Sequence, residues 1–574
     1  MRRVLTGVAV APGMALGRAR RVQPRRYNAD ARPLEATEVE AEIIRLEAAL
    51  AHARAEIVEV RGRLQGVLRR EAEPFLDAHA LLLDDPELHA GLLAMIRTGR
   101  CRAAAALIAQ RDRLGALFGA MADPYLRSRR EDFDQVIGRV LAALERDTSV
   151  EERRLAARVG DILVAESPTP AEVAALANHG LLGVLASSGS AYSHSAILAR
   201  SLRLPMLTGV HEALDAVGDD DLVLIDGERG EAVLHPAAQD LARYRQWQRD
   251  AVRDEQRRAG FAHAPSRSRD GRRIDLQANA ERGAEIAAAR ALGADGVGLY
   301  RTEFLFLHRA ALPGEDEQFE AYRELVLGMG GRSVTVRTLD IGADKADGSS
   351  LALAAEPNPA LGVRGLRLSL RQPAVFRTQL RAMLRAAVLG PLRILLPMVT
   401  TAAELRAARA HVDACAVALR GEGHAIPDAV AVGAMIEVPA AALCARALLE
   451  LSDFAAIGTN DLTQYVLAAD RGNDALGELY DPLHPALLRL IAHVVAAGRR
   501  TGRPVSLCGE IAGEPAQLPL LLALGLTEFS MHPARLLAVR ERLAGLDVGA
   551  LRALAPRLVR AADRDAVAAL LPRG

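Results

Sequence analysis

The sequence predicts an α/β multidomain protein: a small α/β domain interrupted by an all-helical domain, followed by a C-terminal (β/α)8 TIM barrel. Three observations carry this reading. From residue 261 onward, one theme repeats: an apolar strand runs into polar or charged residues, and a helix follows. The strands read at 276–280, 296–303, 334–340, 394–398, 432–438, 455–461, 505–510 and 526–531, and eight such units argue for a barrel. Upstream, residues 34–146 have an almost unbroken helical pattern. Between those regions, short apolar strands alternate with helix starts, and the strands this small domain lacks are available at residues 1–22. The helical stretch therefore reads as an insertion.

Composition narrows the function. Of 574 residues, 50% are hydrophobic, enough for several cores, and only 3% are aromatic. Lys+Arg and Asp+Glu are both 72, so the formal net charge is zero, which argues against a nucleic-acid or membrane-surface protein as a whole. Cys101, Cys415, Cys444 and Cys508 form no CxxC pair or metal-ligand spacing and read as reduced thiols of a cytoplasmic protein. Lys345 is the single lysine; every other cation is arginine.

In chain order, Met1-Arg2-Arg3 and the residues to Leu16 imitate a secretory signal, but Gly7, Pro12, Gly13 and Gly17 interrupt them. A strand, a Pro-Gly turn and a second strand fit better. No stretch is long and apolar enough for a membrane span. Apolar residues then recur at helical spacing through Val39, Ile43, Leu46, Leu50, Ile57 and Val60, and further helices are expected at 75–83, 86–98, 102–121 and 131–146. Strands are expected at 161–165, 183–186, 205–209 and 221–227, and Thr169-Pro170-Ala171-Glu172 opens a helix as cap, proline and acid. A charged helical stretch at 239–258 reads as a linker.

Two groups of residues carry candidate chemistry. Ser193 can cap the apolar run that follows it, placing His194 in or beside the first turn of a helix, where N–H groups and the helix dipole favour an anion. An imidazole there can accept a phosphoryl group; taken alone, a histidine in this position is more often a plain capping or core residue. The second group lies at the barrel strand ends, where Asn279, Arg301, Glu303, Arg337, Asp340, Glu437, Asn460, Asp461, Cys508 and Glu510 fall. Arg301, Arg337, Arg364 and Arg471 suit a multiply charged anion, and Lys345 adds a compact charge. Glu437 and Asp461 on neighbouring strands suit Mg²⁺, and Cys508 is a candidate proton donor. Singly, each of these is equally a structural ion pair; together they describe a site for a small phosphorylated carboxylate.

The segments 296–305, 336–342 with Asp344-Lys345, 457–465, 470–473 and 507–510 resemble the PEP-utilising enzyme family, and most of all the enzyme I branch of the bacterial phosphoenolpyruvate:sugar phosphotransferase system. The resemblance implies a phosphoenolpyruvate-protein phosphotransferase. In that reading His194 takes the phosphoryl group of phosphoenolpyruvate at Nε2 and passes it to a histidine of the carrier HPr. Arg301, Arg337, Lys345, Arg364, Asn460, Asp461 and Arg471 bind the substrate, Glu437 and Asp461 hold Mg²⁺, and Cys508 protonates the enolate to give pyruvate. The implied domains are a swivelling phosphohistidine domain (1–22 plus 148–236), a helical HPr-binding domain (23–147), a linker (237–260) and a PEP-binding barrel that also forms a homodimer (261–574). Two departures stand out: Gly189-Ser190-Ala191-Tyr192-Ser193 replaces a Gly-Gly pair and a threonine before Ser-His, and Ala343 replaces a glycine before Asp344-Lys345. A pyruvate phosphate dikinase would need an ATP-binding domain before the histidine. The nitrogen-related enzyme I would add a sensory domain, and a non-catalytic carrier-binding regulator would not need His194, Cys508, Glu437 and Asp461 together.

Overall fold

The computed structural model describes residues 2–22, 32–63, 79–120, 124–145, 160–189, 193–202, 204–307, 311–342, 351, 356–470, 476 and 479–571, with backbone alone at some helical positions, His194 among them. The chain divides into two compact units, Met1–Val252 and Arg253–Gly574.

The first unit is built on an eight-stranded sheet. Its strands are β1 (Arg3–Thr6), β2 (Val8–Ala11), β3 (Met14–Val22), β4 (Asp161–Ala165), β5 (Gly183–Ala186), β6 (Met206–Thr208), β7 (Leu222–Asp226) and β8 (Glu231–Leu234), in the order β1-β8-β7-β3-β4-β5-β6-β2. The N-terminal residues thus supply both edges and one central strand. They form three strands rather than the two expected, because the chain breaks at Gly7, where a Cβ would sit 2.8 Å from the Thr208 carbonyl oxygen. β3 runs parallel to β4 and antiparallel to β7. β4, β5 and β6 are parallel, with helices Pro170–Asn178 and His194–Ser201 in the two crossovers. Thr169 and Glu172 complete the expected capping box. β8 escaped the sequence reading.

Between β3 and β4 lie helices Val39–Arg63, Pro86–Arg97, Ala103–Ala120 and Pro124–Glu145. Leu46, Leu92, Ile96, Leu107, Val136, Ile137 and Val140 are fully buried among them. Each such side chain contributes roughly 1.5–3 kcal/mol of burial. Asp85 caps the second of these helices at the backbone N–H groups of Glu87 and Leu88, with Pro86 at its first position.

The second unit is a closed barrel of eight parallel strands: β9 (Asp275–Ala280), β10 (Val297–Tyr300), β11 (Val334–Arg337), β12 (Leu392–Leu396), β13 (Ala431–Ile436), β14 (Phe454–Ile457), β15 (Val505–Leu507) and β16 (Glu528–Met531), with β16 pairing back to β9. The main core lies between strands and outer helices, while Leu299, Leu395, Met435, Phe454, Ala456 and Cys508 form a separate cluster. Most of the strands are shorter than the sequence suggested. β14 ends at Ile457, and Thr459–Leu467 is already helix, so Asn460 and Asp461 stand in a helical first turn rather than on a strand. β15 ends at Leu507, and Glu510 begins a 3-10 turn.

Candidate active site

His194 is the first residue of its helix, and Ser193 accepts a hydrogen bond from Ala196 N–H, as the sequence anticipated. The approach to this turn is held from both sides. Thr208 Oγ1 donates to the carbonyls of Ser188 and Gly189, and Ser195 Oγ, buried, donates to Pro168 O at 2.5 Å. Gly189 has φ +109°, a conformation that L side chains rarely adopt. Tyr192 lies outside the described residues, as do Lys345 and Arg471.

In the barrel, the loops after β10, β11, β13, β14 and β15 bring the other candidates to one end. Arg337, the last residue of β11, donates Nη2 to Glu303 Oε1 at 2.9 Å and places Nη1 3.2 Å from Asp340 Oδ2. Arg364, which precedes helix Leu366–Arg371, reaches the same carboxylate through Nε at 3.3 Å and Nη2 at 3.0 Å. All four of these side chains are buried. Burial alone would lower the Arg337 guanidinium, yet Glu303, Asp340, Glu437 and Asp461 around it hold it above its ordinary value. Glu303 and Asp340 balance the two guanidiniums, so what the cluster offers an incoming anion is N–H donors already fixed in place. Arg301 donates to Glu281 Oε1 at 2.7 Å and is more exposed.

Behind this cluster runs a buried polar chain that sequence reasoning missed. Gln379 accepts from Leu339 N–H and donates to Thr302 Oγ1 and Tyr322 OH, and Thr302 donates to the Arg337 carbonyl. These partners are far apart in sequence, so only the fold reveals them.

Glu437 follows β13 and is 1% exposed. Its Oε1 accepts Met398 N–H at 2.6 Å, and Met398 holds φ +55° to make that bond. Burial, then the carboxylates of Asp340 and Asp461, push the Glu437 carboxyl up to about 8, against Arg337 and the Met398 N–H. Glu437, just past β13, and Asp461, in the first turn of the helix after β14, carry charge that a cation would relieve and are a donor set fit for a hard divalent ion. Among the described residues there is no cluster of three or more His, Cys, Asp or Glu that could hold a metal, so such an ion would fill its shell with other oxygens. Asn460 accepts Glu510 N–H through Oδ1 at 3.0 Å and donates to Glu510 Oε1 at 3.4 Å, tying the β14 and β15 ends together.

Cys508 is buried within the small apolar cluster of Leu299, Leu395, Met435, Phe454 and Ala456, with Sγ 3.5 Å from Ile457 O. Burial pushes its thiol up to about 12, with Arg337 and Arg301 opposing. It is therefore a neutral S–H at ordinary pH, poised to give a proton rather than to attack.

A sequence profile described as "PEP-utilising enzyme, PEP-binding domain" matches residues 255–548, which hold every candidate barrel residue. The chain belongs to the PEP-utilising enzyme family. Two further profiles of this family match: "N-terminal" at 6–129, and "mobile domain" at 157–230, which contains His194. Three full-length relatives are each named phosphoenolpyruvate-protein phosphotransferase. The one from Cupriavidus necator is 41% identical over 99% of this chain and 98% of its own. That from Geobacillus stearothermophilus is 40% identical over 94% and 93%, and that from Listeria monocytogenes 37% over 100% and 99%.

Gly509 sets how closely Cys508 approaches the β14 end. A Cβ there would lie 1.7 Å from Thr459 Oγ1 and 3.0 Å from Thr459 N. Gly509→Ala is therefore expected to cost about 1–3 kcal/mol of stability through overpacking. Because the Asn460–Asp461 turn must shift, phosphoenolpyruvate turnover should fall by roughly 100-fold. Thermal unfolding and a turnover assay on the same preparation check both.

Proposed function

We propose that this chain is a phosphoenolpyruvate-protein phosphotransferase: it takes the phosphoryl group of phosphoenolpyruvate onto His194, releases pyruvate, and passes the group to a histidine of the small carrier HPr. The observation that carries the reading is one barrel mouth where Arg337 and Arg364 share Asp340 beside the Glu437–Asp461 pair and a neutral buried thiol. A cluster of this kind binds a phosphorylated carboxylate and protonates what remains when the phosphoryl group departs.

In this mechanism Arg301, Arg337, Lys345, Arg364, Asn460 and Arg471 hold the phosphate and carboxylate. His194 Nε2 attacks phosphorus, the bond from phosphorus to the enol oxygen breaks, and the enolate keeps that electron pair. Cys508 Sγ–H then gives its proton to C3, the enolate collapses to pyruvate, and the thiolate recovers a proton from solvent. Glu437 and Asp461 would hold Mg²⁺, which when bound neutralises charge on the phosphoryl oxygens. The helix dipole at the start of His194–Ser201 favours the charged phosphohistidine.

The domain division proposed is 1–22 with 148–236 for the phosphohistidine domain, 23–147 for HPr docking, 237–260 as linker and 261–574 for the substrate barrel. A cytoplasmic homodimer associating through the barrel belongs to the same reading. Adding HPr to the ³²P-phosphorylated chain tests it. The label should move to HPr within the dead time of manual mixing; label that stays on the chain contradicts the carrier step.

Lys345 gives a sharper test. An ammonium is a compact point charge, whereas guanidinium is a wider planar fork. In a chain whose other cations are all arginine, Lys345→Arg preserves charge and should still lose most phosphotransfer, since misplacement by about 1 Å can cost roughly 100-fold. Near-wild-type labelling of His194 in that variant would show that charge alone suffices.

A further inference from the structure

The apolar cluster that contains Cys508 draws on barrel strands from β10 to β14 and reaches the site through Met435. Met435 is the next-to-last residue of β13 and lies two residues before Glu437. Along a strand that spacing puts both side chains on one face. It is 1% exposed, and its Sδ lies 3.8 Å from Arg337 Nη1. Its Cγ lies 3.4 Å from the position a Cβ on Gly458 would take, and the Glu437 carboxylate lies 2.8 Å from that same position. On β14 its register partner is the small Ala456, and both belong to one apolar cluster with Leu299, Leu395, Phe454 and Cys508.

Met435 therefore touches the guanidinium proposed to hold the anion, and packs in the same cluster as the thiol proposed to protonate the carbon. The carbon that receives the proton must come against Sγ, and Cys508 packs in this apolar cluster. Met435 is a long side chain that both approaches the anion-binding guanidinium and packs in the cluster of the thiol, so its length bears on how much carbon can enter.

We propose that Met435 sets the size of the pocket for C3 of the enol phosphate, restricting the substrate to an unsubstituted methylene and rejecting C3-alkylated enol phosphates. This rests on the phosphotransferase reading. One methylene in an apolar pocket is worth roughly 10–200-fold in discrimination, so the effect is measurable.

The test compares kcat/KM for phosphoenolpyruvate and for its C3-methyl homologue, 2-phosphoenolbutyrate, in the full-length wild type, Met435→Ala, Met435→Val and Met435→Leu. The wild type should prefer phosphoenolpyruvate by at least about tenfold. Met435→Ala should shrink that preference by roughly 10–200-fold, Met435→Val by less, and Met435→Leu least of all. Loosened packing lowers both substrates together and leaves their ratio fixed; only a size limit moves the ratio. If Met435→Ala does not fold by circular dichroism, Met435→Val carries the test. A ratio that stays within about twofold in the folded variants, with phosphoenolpyruvate still turned over, overturns the proposal while leaving the phosphotransferase reading intact. A wild type that does not use phosphoenolpyruvate at all overturns both.

Discussion

His194→Ala is expected to abolish phosphoenolpyruvate-dependent self-phosphorylation while leaving phosphoenolpyruvate binding within about twofold of wild type. Removing the nucleophile removes the covalent intermediate itself, so no residual transfer by this route remains. The substituted residue is the first of an eight-residue helix whose cap, Ser193, and buried face, Ala196, Leu198 and Ala199, are untouched by the change. Alanine is a good helix former, so the helix persists. The proposed substrate groups, Arg337, Arg364 and Cys508, belong to the other compact unit. Calorimetric binding of phosphoenolpyruvate in the variant should therefore survive. Acid-labile, base-stable label on the variant would move the acceptor to another residue.

Cys508→Ala should impair pyruvate formation far more than substrate binding. General acid catalysis is worth roughly 10²–10⁴-fold, and the thiol is the buried neutral acid of this site. The substitution deletes one heavy atom from an apolar setting, so its structural cost is small, and the guanidiniums that bind the anion keep their carboxylate partners. Pyruvate release is expected to fall by roughly 10²–10⁴-fold with substrate affinity changed by no more than a few-fold. A stopped assay for pyruvate together with a titration of phosphoenolpyruvate separates the two quantities. Unchanged turnover with intact binding removes Cys508 from the mechanism.

The barrel was legible because its signal repeats: each strand is a short apolar run, and each is followed by a helical period. The strand ends were less so. The reading carried β14 on to Asp461, whereas Thr459 already opens a helix. Arg337 and Arg364 could be picked out from their residue type and position, and the fold brings them together on Asp340. Their partners could not: Glu303 meets Arg337 across 34 residues and Asp340 meets Arg364 across 24. The strained Met398, whose N–H orients Glu437, leaves no mark in the sequence, since its partner lies 39 residues away. Met435 looks like any other core residue of an apolar strand until the fold sets it beside Arg337. In the first unit, Ser193 and His194 were readable because a cap is a local rule of sequence.

The central claim is that phosphoenolpyruvate alone charges His194. Purified chain incubated with ³²P-phosphoenolpyruvate and Mg²⁺, without ATP, should take up one phosphoryl group per chain and release one pyruvate, with the label acid-labile, base-stable and confined to the peptide that contains His194. Uptake that requires ATP, label on any other peptide, or label without matching pyruvate would contradict the account.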